Sequence, residues 1–371
     1  MDIFMLKRYK LKDLDVKLII LVVAVSILGI LLIGSAGKSK QLQQILGLFL
    51  GIIVMAVLTI MDYNFILRFY WPIYGLNIAL LLMVKLMGSS AGGAQRWVSI
   101  AGIRFQPSEL SKILLILFFA KMFSKYQEKL SDLKVLVTMV ILAAIPLYLI
   151  KSQPDLSTTI VVGLIICVLI YIAGLKRKII LSVLAVAVPA LAVSLIVIAN
   201  FGKSFLSDYQ FKRVMAWIDP GKYADAAYQQ QNSITAIGSG QFFGKGLNNN
   251  VVASVKNGNF ISEPQTDFIF AVTGEELGFV GSVLIIVLLF LIALECIWIG
   301  KRAKDLQGKL ICCGMGALIA FQSFINICVA TGLMPNTGLP LPFVSAGLTS
   351  LVSLCIGIGI VLNVGLQQKK Y

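Results

Sequence analysis

Leu277-Gly278-Phe279-Val280-Gly281-Ser282-Val283-Leu284-Ile285-Ile286-Val287-Leu288-Leu289-Phe290-Leu291-Ile292-Ala293-Leu294-Glu295-Cys296-Ile297-Trp298-Ile299 carries a single charge, Glu295. At about 1.5 Å per helical residue, such a run crosses a hydrocarbon core of about 30 Å. Runs of the same kind recur along the chain, near residues 18 to 36, 45 to 61, 69 to 87, 109 to 123, 135 to 150, 157 to 174, 179 to 199, 310 to 331 and 348 to 366. The chain has 371 residues, 58% hydrophobic and 13% charged, with a mean hydropathy of +0.91. Soluble domains carry roughly a quarter charged residues, so a soluble globular protein is excluded. The reading is an all-α polytopic membrane protein, one domain over residues 1–371, with ten transmembrane helices and a long extracellular loop between helices 7 and 8.

The net charge of +15 takes its meaning from sidedness. With a cytoplasmic N-terminus, the inner short segments hold nineteen Lys and Arg, among them Lys7, Arg8, Lys10, Lys12, Lys301, Arg302 and Lys309, against about seven outside. Both termini are therefore expected in the cytoplasm. The basic charge then faces anionic lipid, and no nucleic acid is needed to explain it. The first apolar run ends without a small-residue cleavage site, so it is expected to be retained. There is no histidine, which excludes an imidazole base or metal ligand. The six cysteines fall inside apolar runs with no CxxC spacing and read as packing residues.

Residues from about 200 to 267 exceed any simple connector, and such loops usually carry function. Trp217, Tyr209, Tyr223, Tyr228, Phe242 and Phe243 need burial, so this loop is expected to form amphipathic helices on the outer membrane surface. It contains the glycine-rich turn Gly238-Ser239-Gly240-Gln241-Phe242-Phe243-Gly244-Lys245-Gly246, which matches no nucleotide-binding pattern.

Charges near membrane depth are costly and define the candidate site. In Gln106-Pro107-Ser108-Glu109-Leu110-Ser111-Lys112, the carboxylate and ammonium stand three apart at a helix start. They make either an internal ion pair or part of a cavity lining. Arg96 and Trp97 suit an interfacial anchor or a platform for a lipid headgroup. Asp155, after Gln153-Pro154, is a helix cap or a site residue. Lys212 and Arg213, beside Tyr209 and Phe211, could hold phosphate or snorkel to headgroups. Asp267, in Glu263-Pro264-Gln265-Thr266-Asp267, reads as a helix N-cap or as a general base in a partly desolvated cavity. Finally, Pro335, Pro340 and Pro342 lie between the last two runs and predict a re-entrant loop lining a cavity.

The ten runs, the long loop, Gln106-Pro107-Ser108-Glu109, Gln153-Pro154-Asp155-Leu156, Thr266-Asp267-Phe268 and Pro340-Leu341-Pro342-Phe343 closely resemble the shape, elongation, division and sporulation (SEDS) family over essentially the whole chain. The short termini are most similar to its rod-shape members. The resemblance implies a peptidoglycan glycosyltransferase of the bacterial cytoplasmic membrane that polymerises lipid II on the outer face beside a class B penicillin-binding protein. By motif, Asp267 matches the family's essential aspartate, and Trp97, Glu109, Lys112, Asp155 and Arg213 match cavity-lining positions. Arg96 and Lys212 join them as cations for the substrate. A divalent cation such as Mg²⁺ on the pyrophosphate is compatible, though no ligand set is legible. Three departures stand out: Gln265 replaces a common histidine, Ser157 a usual glycine, and Ser345-Ala346-Gly347-Leu348-Thr349 a Ser-Tyr-Gly-Gly-Ser. A lipid II flippase and a non-catalytic scaffold for the transpeptidase are the alternatives.

Overall fold

The computed structural model describes residues 13–91, 94–100, 103–176, 178–179, 185, 208–248 and 260–368. Asp15 caps α1 (Val16–Ala36) by accepting from the Leu18 N–H at 3.1 Å, and the chain turns at Gly37 into α2 (Lys38–Ile60). A short α3 (Tyr63–Arg68) leads to α4 (Tyr70–Met87). Then follow α5 (Pro107–Lys125), α6 (Leu133–Ser152), α7 (Leu156–Ile172), α8 (Asp208–Ile218), α9 (Ala224–Ser239), α10 (Ile269–Lys301), α11 (Leu306–Ala330) and α12 (Leu348–Leu366).

Among the described residues, α1, α2, α4, α6, α10, α11 and α12 are long and apolar enough to cross a bilayer, and α7 is apolar but shorter. The chain is a polytopic helical membrane protein. The expected run from 179 to 199 lies almost wholly outside the described residues, as do Lys7, Arg8, Lys10 and Lys12. At the centre are α5, α11 and α12, buried on nearly every face. The surrounding helices expose apolar side chains such as Phe49, Val140 and Phe290, as lipid contact requires. α12 runs along α2, where Gly51 and Gly359 let the backbones approach Cys355 and Met55 closely.

Three features depart from the expected helices. Between α4 and α5 the chain forms an antiparallel meander of β1 (Ser89–Ala91), β2 (Ala94–Ile100) and β3 (Ile103–Phe105). This stretch, rich in Ser, Ala and Gly, offers no helical apolar face, and the strands satisfy its backbone instead. α2 starts at Lys38 rather than near 45, because Gln41 and Gln44 sit inside the helix and interrupt its apolar pattern. α10 starts at Ile269 rather than Leu277 and is broken at Gly278, whose φ of 65° and ψ of −159° only glycine adopts readily.

The break is closed by the glycine-rich turn after α9. Its Lys245 and Gly246 N–H groups donate to the Glu275 and Glu276 carbonyls at 2.9 and 3.0 Å. Across the break, the Phe279 and Val280 N–H groups donate to the Gln241 and Phe242 carbonyls at 2.9 and 3.2 Å. Two orphaned carbonyls before the break and two N–H groups after it are thus paired, as buried backbone requires. The turn, which matched no ligand motif, is the splint that lets α10 bend, and Asp267 lies directly ahead of its first half.

Candidate active site

Five separate segments meet at one end of the bundle: β2, the start of α7, α8, the residues before α10, and the proline loop between α11 and α12. The proline loop is gripped by side chains. Asn326 Nδ2 on α11 donates to the carbonyls of Leu339 at 2.6 Å and Asp267 at 2.9 Å. Gln322 Nε2 donates to Pro340 at 2.9 Å, Ser157 Oγ to Thr337 at 3.0 Å, and Gln44 Nε2 to Ser345 at 3.2 Å. Ser345 Oγ accepts from the Leu341 N–H at 2.7 Å and donates to the Thr266 carbonyl at 2.6 Å.

At the centre of this loop, Gly338 takes a φ of +72°. A methyl group built on it would lie 3.1 Å from Asp267 Oδ2 and 3.6 Å from Nη1 of both Arg213 and Arg96. One carboxylate and two guanidiniums therefore converge on one point. Each arrives differently. Ser89 pairs with Trp97 but Ser90 with Gln95, so Arg96 is the extra residue of a β-bulge, a device that re-aims a side chain. Arg96 Nη2 donates to the Pro154 carbonyl and Nη1 stands 4.0 Å from Asp155 Oδ1, while its buried Nε finds no partner among the described residues. Arg213 sits on α8, whose Trp217 Nε1 donates to the Gly332 carbonyl at 2.9 Å, and Arg213 Nη1 donates to the Asn336 carbonyl at 3.3 Å. Lys212, its neighbour, is exposed on the next face of α8.

Asp155 caps a helix and also faces an arginine. Its Oδ1 accepts from the Thr158 N–H at 3.2 Å, capping α7, and the same buried carboxylate faces Arg96. Asp267 is different: the N-cap of α10 is Phe268, and no side chain caps that helix. The carboxylate is thus left for other work. Burial pushes its pKa above the ordinary range, Arg213 and then Arg96 pull it back, and Glu263 and Asp155 push it up again. The net direction is upward, toward a stronger base.

Glu109 and Lys112 lie deeper, at 2% and 1% exposure. Lys112 Nζ donates to Glu109 Oε1 and to Gln322 Oε1, both at 2.7 Å, and Ser350 Oγ donates to Glu109 Oε2 at 2.6 Å. This chain links α5, α11 and α12 and ends on the proline loop through Gln322. Trp97 is partly buried beside Arg96 on β2. Sequence reasoning missed Gln44, Gln322, Asn326 and Gly338. For the three amides, the signal was present as polar side chains in or beside apolar runs, which default to functional positions.

A polytopic helical membrane protein with a carboxylate and two arginines at the mouth of a broken helix is the class that this architecture defines. The family described as cell cycle protein, that of FtsW, RodA and SpoVE, matches residues 11–370. The chain is 31% identical over 354 residues to the probable peptidoglycan glycosyltransferase FtsW of Geobacter sulfurreducens, covering 91% of each. It is 32% identical over 365 residues to that of Bacillus subtilis, covering 94% of this chain and 89% of the relative. Among solved structures, Thermus thermophilus RodA superposes with a TM-score of 0.70 at 26% identity, covering 96% of this chain and 98% of that one. A chain of a peptidoglycan synthase complex, solved to show how polymerization and crosslinking are coordinated, superposes at 0.78 with 28% identity, covering 95% and 97%. The chain belongs to the FtsW, RodA and SpoVE family.

Proposed function

We propose that this chain is a peptidoglycan glycosyltransferase that polymerises lipid II, with Asp267 as its general base. The observation that carries the reading is the convergence of Asp267, Arg213 and Arg96 on Gly338. The donor strand hangs from undecaprenyl pyrophosphate through an α bond, and a β-1,4 product requires inversion. Asp267 takes the proton from the acceptor's 4-hydroxyl while that oxygen bonds to the anomeric carbon. The bond to the pyrophosphate breaks in the same displacement, and the leaving group departs with the electron pair. Pyrophosphate needs charge stabilisation rather than a proton, and the fixed guanidiniums of Arg96 and Arg213 supply it, with Lys212 and Trp97 at the rim. Glu109 and Lys112 act from below by holding the proline loop, and Asp155 aims Arg96.

Among the described residues, no group of three or more acidic or cysteine side chains is placed to hold a metal ion. A Mg²⁺ ion here would take most of its oxygen ligands from substrate and water, and no step above runs through one. The orientation that fits is both termini cytoplasmic and the site on the outer face, with a class B penicillin-binding protein beside it as the crosslinking partner. The test is purified chain, with that transpeptidase, given lipid II in liposomes with moenomycin to silence contaminating polymerases. Glycan strands are expected, and their absence overturns the assignment.

A further inference from the structure

At the end of the bundle opposite Asp267, α7, α10 and α11 enclose a groove of about 440 Å³. Its lining is Tyr171, Ile172, Ile297, Lys301, Lys309 and Cys313. Two ammonium groups thus border an otherwise apolar furrow. No acid shares it. Asp305 is spent on capping α11, accepting from the Gly308 N–H at 2.8 Å. Glu295, six residues before Lys301, faces Asp15, Lys17 and Arg302 instead.

The groove opens onto exposed apolar side chains of α10 and α7. On α10, Phe290, Leu294, Ile297 and Lys301 follow one another at spacings of four, three and four along one exposed stripe. On α7, Ile160, Leu164 and Tyr171 make a matching exposed stripe. Depth is marked by aromatic residues. Trp298 is half-exposed and lies under both Lys301, at 5.4 Å, and Arg302, at 5.0 Å from its ring centre. Trp and Tyr gather at headgroup level, so Trp298 and Tyr171 put Lys301 and Lys309 where phosphodiesters lie. Basic pockets between helices on the cytoplasmic side suit anionic headgroups.

We propose that this groove binds an anionic phospholipid of the leaflet opposite the Asp267 site. Its phosphate sits between Lys301 and Lys309, and an acyl chain lies along Ile172 and Ile297. A soluble anion has no use for the apolar walls, and a neutral lipid has none for the paired ammoniums.

Native mass spectrometry of the purified full chain, titrated with phosphatidylglycerol or phosphatidylcholine, tests this. The parent is expected to retain phosphatidylglycerol in preference, and Lys301→Ala/Lys309→Ala to lower that retention by about thirtyfold, since each such lysine contributes about 1 kcal/mol. Lys301→Arg/Lys309→Arg should keep it, which shows that a loss reflects charge rather than misfolding. Lys129→Ala/Lys134→Ala, exposed at the same end, should also keep it. Millimolar glycerol 3-phosphate should not compete. The proposal is overturned if the parent shows no preference, if the alanine pair binds like the parent, if the distant pair loses as much, or if glycerol 3-phosphate displaces the lipid.

Discussion

Gly338→Ala adds one methyl group at the point where Asp267, Arg213 and Arg96 meet, and its effect can be worked from the geometry. The residue's φ of +72° is a left-handed conformation that costs an L-residue about 1–2 kcal/mol. The new carbon would lie 3.1 Å from Asp267 Oδ2, tighter than ordinary contact, but 3.6 Å from each arginine nitrogen, which is ordinary contact. The carboxylate must therefore retreat by a few tenths of an ångström while the guanidiniums stay. A misplacement of about 1 Å costs about 10² in rate, so the smaller shift here should lower kcat by about tenfold. KM for lipid II should stay within about twofold, because the pyrophosphate contacts are not displaced. The assay is initial polymerisation rate against lipid II concentration, alongside thermal unfolding in detergent to register the backbone cost. Parent kcat in the alanine variant, or a loss confined to KM, would refute the placement of Asp267 beside this loop.

Asp267→Asn should insert normally, since α10 takes no cap from this side chain, yet lose about 10² to 10⁴ in rate, and activity above a third of the parent would remove the base. Because the Asp267 pKa is raised, the acid limb of the rate profile should lie above the ordinary aspartate value of about 3.9, activity falling as pH drops through it. Arg213 holds that pKa down, so Arg213→Ala should move the limb to higher pH and lower efficiency by roughly ten- to a hundredfold, equivalent to about 1.5 to 3 kcal/mol, with lysine a partial rescue. An unmoved limb would separate the two residues. Lys112→Met leaves Glu109 buried without its cation and should destabilise the fold by about 3–5 kcal/mol, while Glu109→Gln/Lys112→Met should recover most of that in thermal unfolding. A double variant as unstable as the single one would show that the pair is not the source of the loss. Gln265→His should keep the rate within about tenfold, because the Gln265 amide lies against Gly37, at 3.6 Å from a methyl built there, and the bond from the Ala346 N–H goes to the main-chain carbonyl, which the substitution keeps; a dead variant at pH 8 would give the amide a role in the chemistry.

Seven of the ten expected spans coincide with described helices long and apolar enough to cross a bilayer, because hydropathy over twenty residues is a strong signal that tertiary context rarely reverses. Asp267, Arg213, Arg96 and Asp155 were legible as costly charges near membrane depth, and the family resemblance singled out all of them but Arg96. Their grouping was not, because Arg96 reaches the site through a bulge whose register depends on partner strands, not on its own neighbours. The N-cap reading of Asp267 failed for a related reason: the helix boundary moved one residue on to Phe268, and a boundary error of that size changes a side chain's role. The role of the glycine-rich turn is not legible in the sequence, because the break that it splints is visible only once Gly278 is known to be non-helical.

The loop that carries Gly338 makes few backbone hydrogen bonds of its own, and its shape is borrowed from helices. Gln322 serves two partners at once, accepting from Lys112 through Oε1 and donating to Pro340 through Nε2. Gln44 does the same, donating to the Ser345 carbonyl and accepting from the Gly347 N–H at 3.0 Å. Asn326 ties the Asp267 and Leu339 carbonyls to one nitrogen, so the residue that carries the base and the loop that faces it cannot move apart without leaving a buried amide unpaired. Electrostatic stabilisation of a transition state requires charges that are already in place, and here their positions descend from α2, α5 and α11 rather than from the loop's own conformation. The buried Glu109–Lys112 pair belongs to that machinery: a desolvated ion pair adds little stability, but it fixes which way Gln322 points, and through Pro340 it fixes where Gly338 stands.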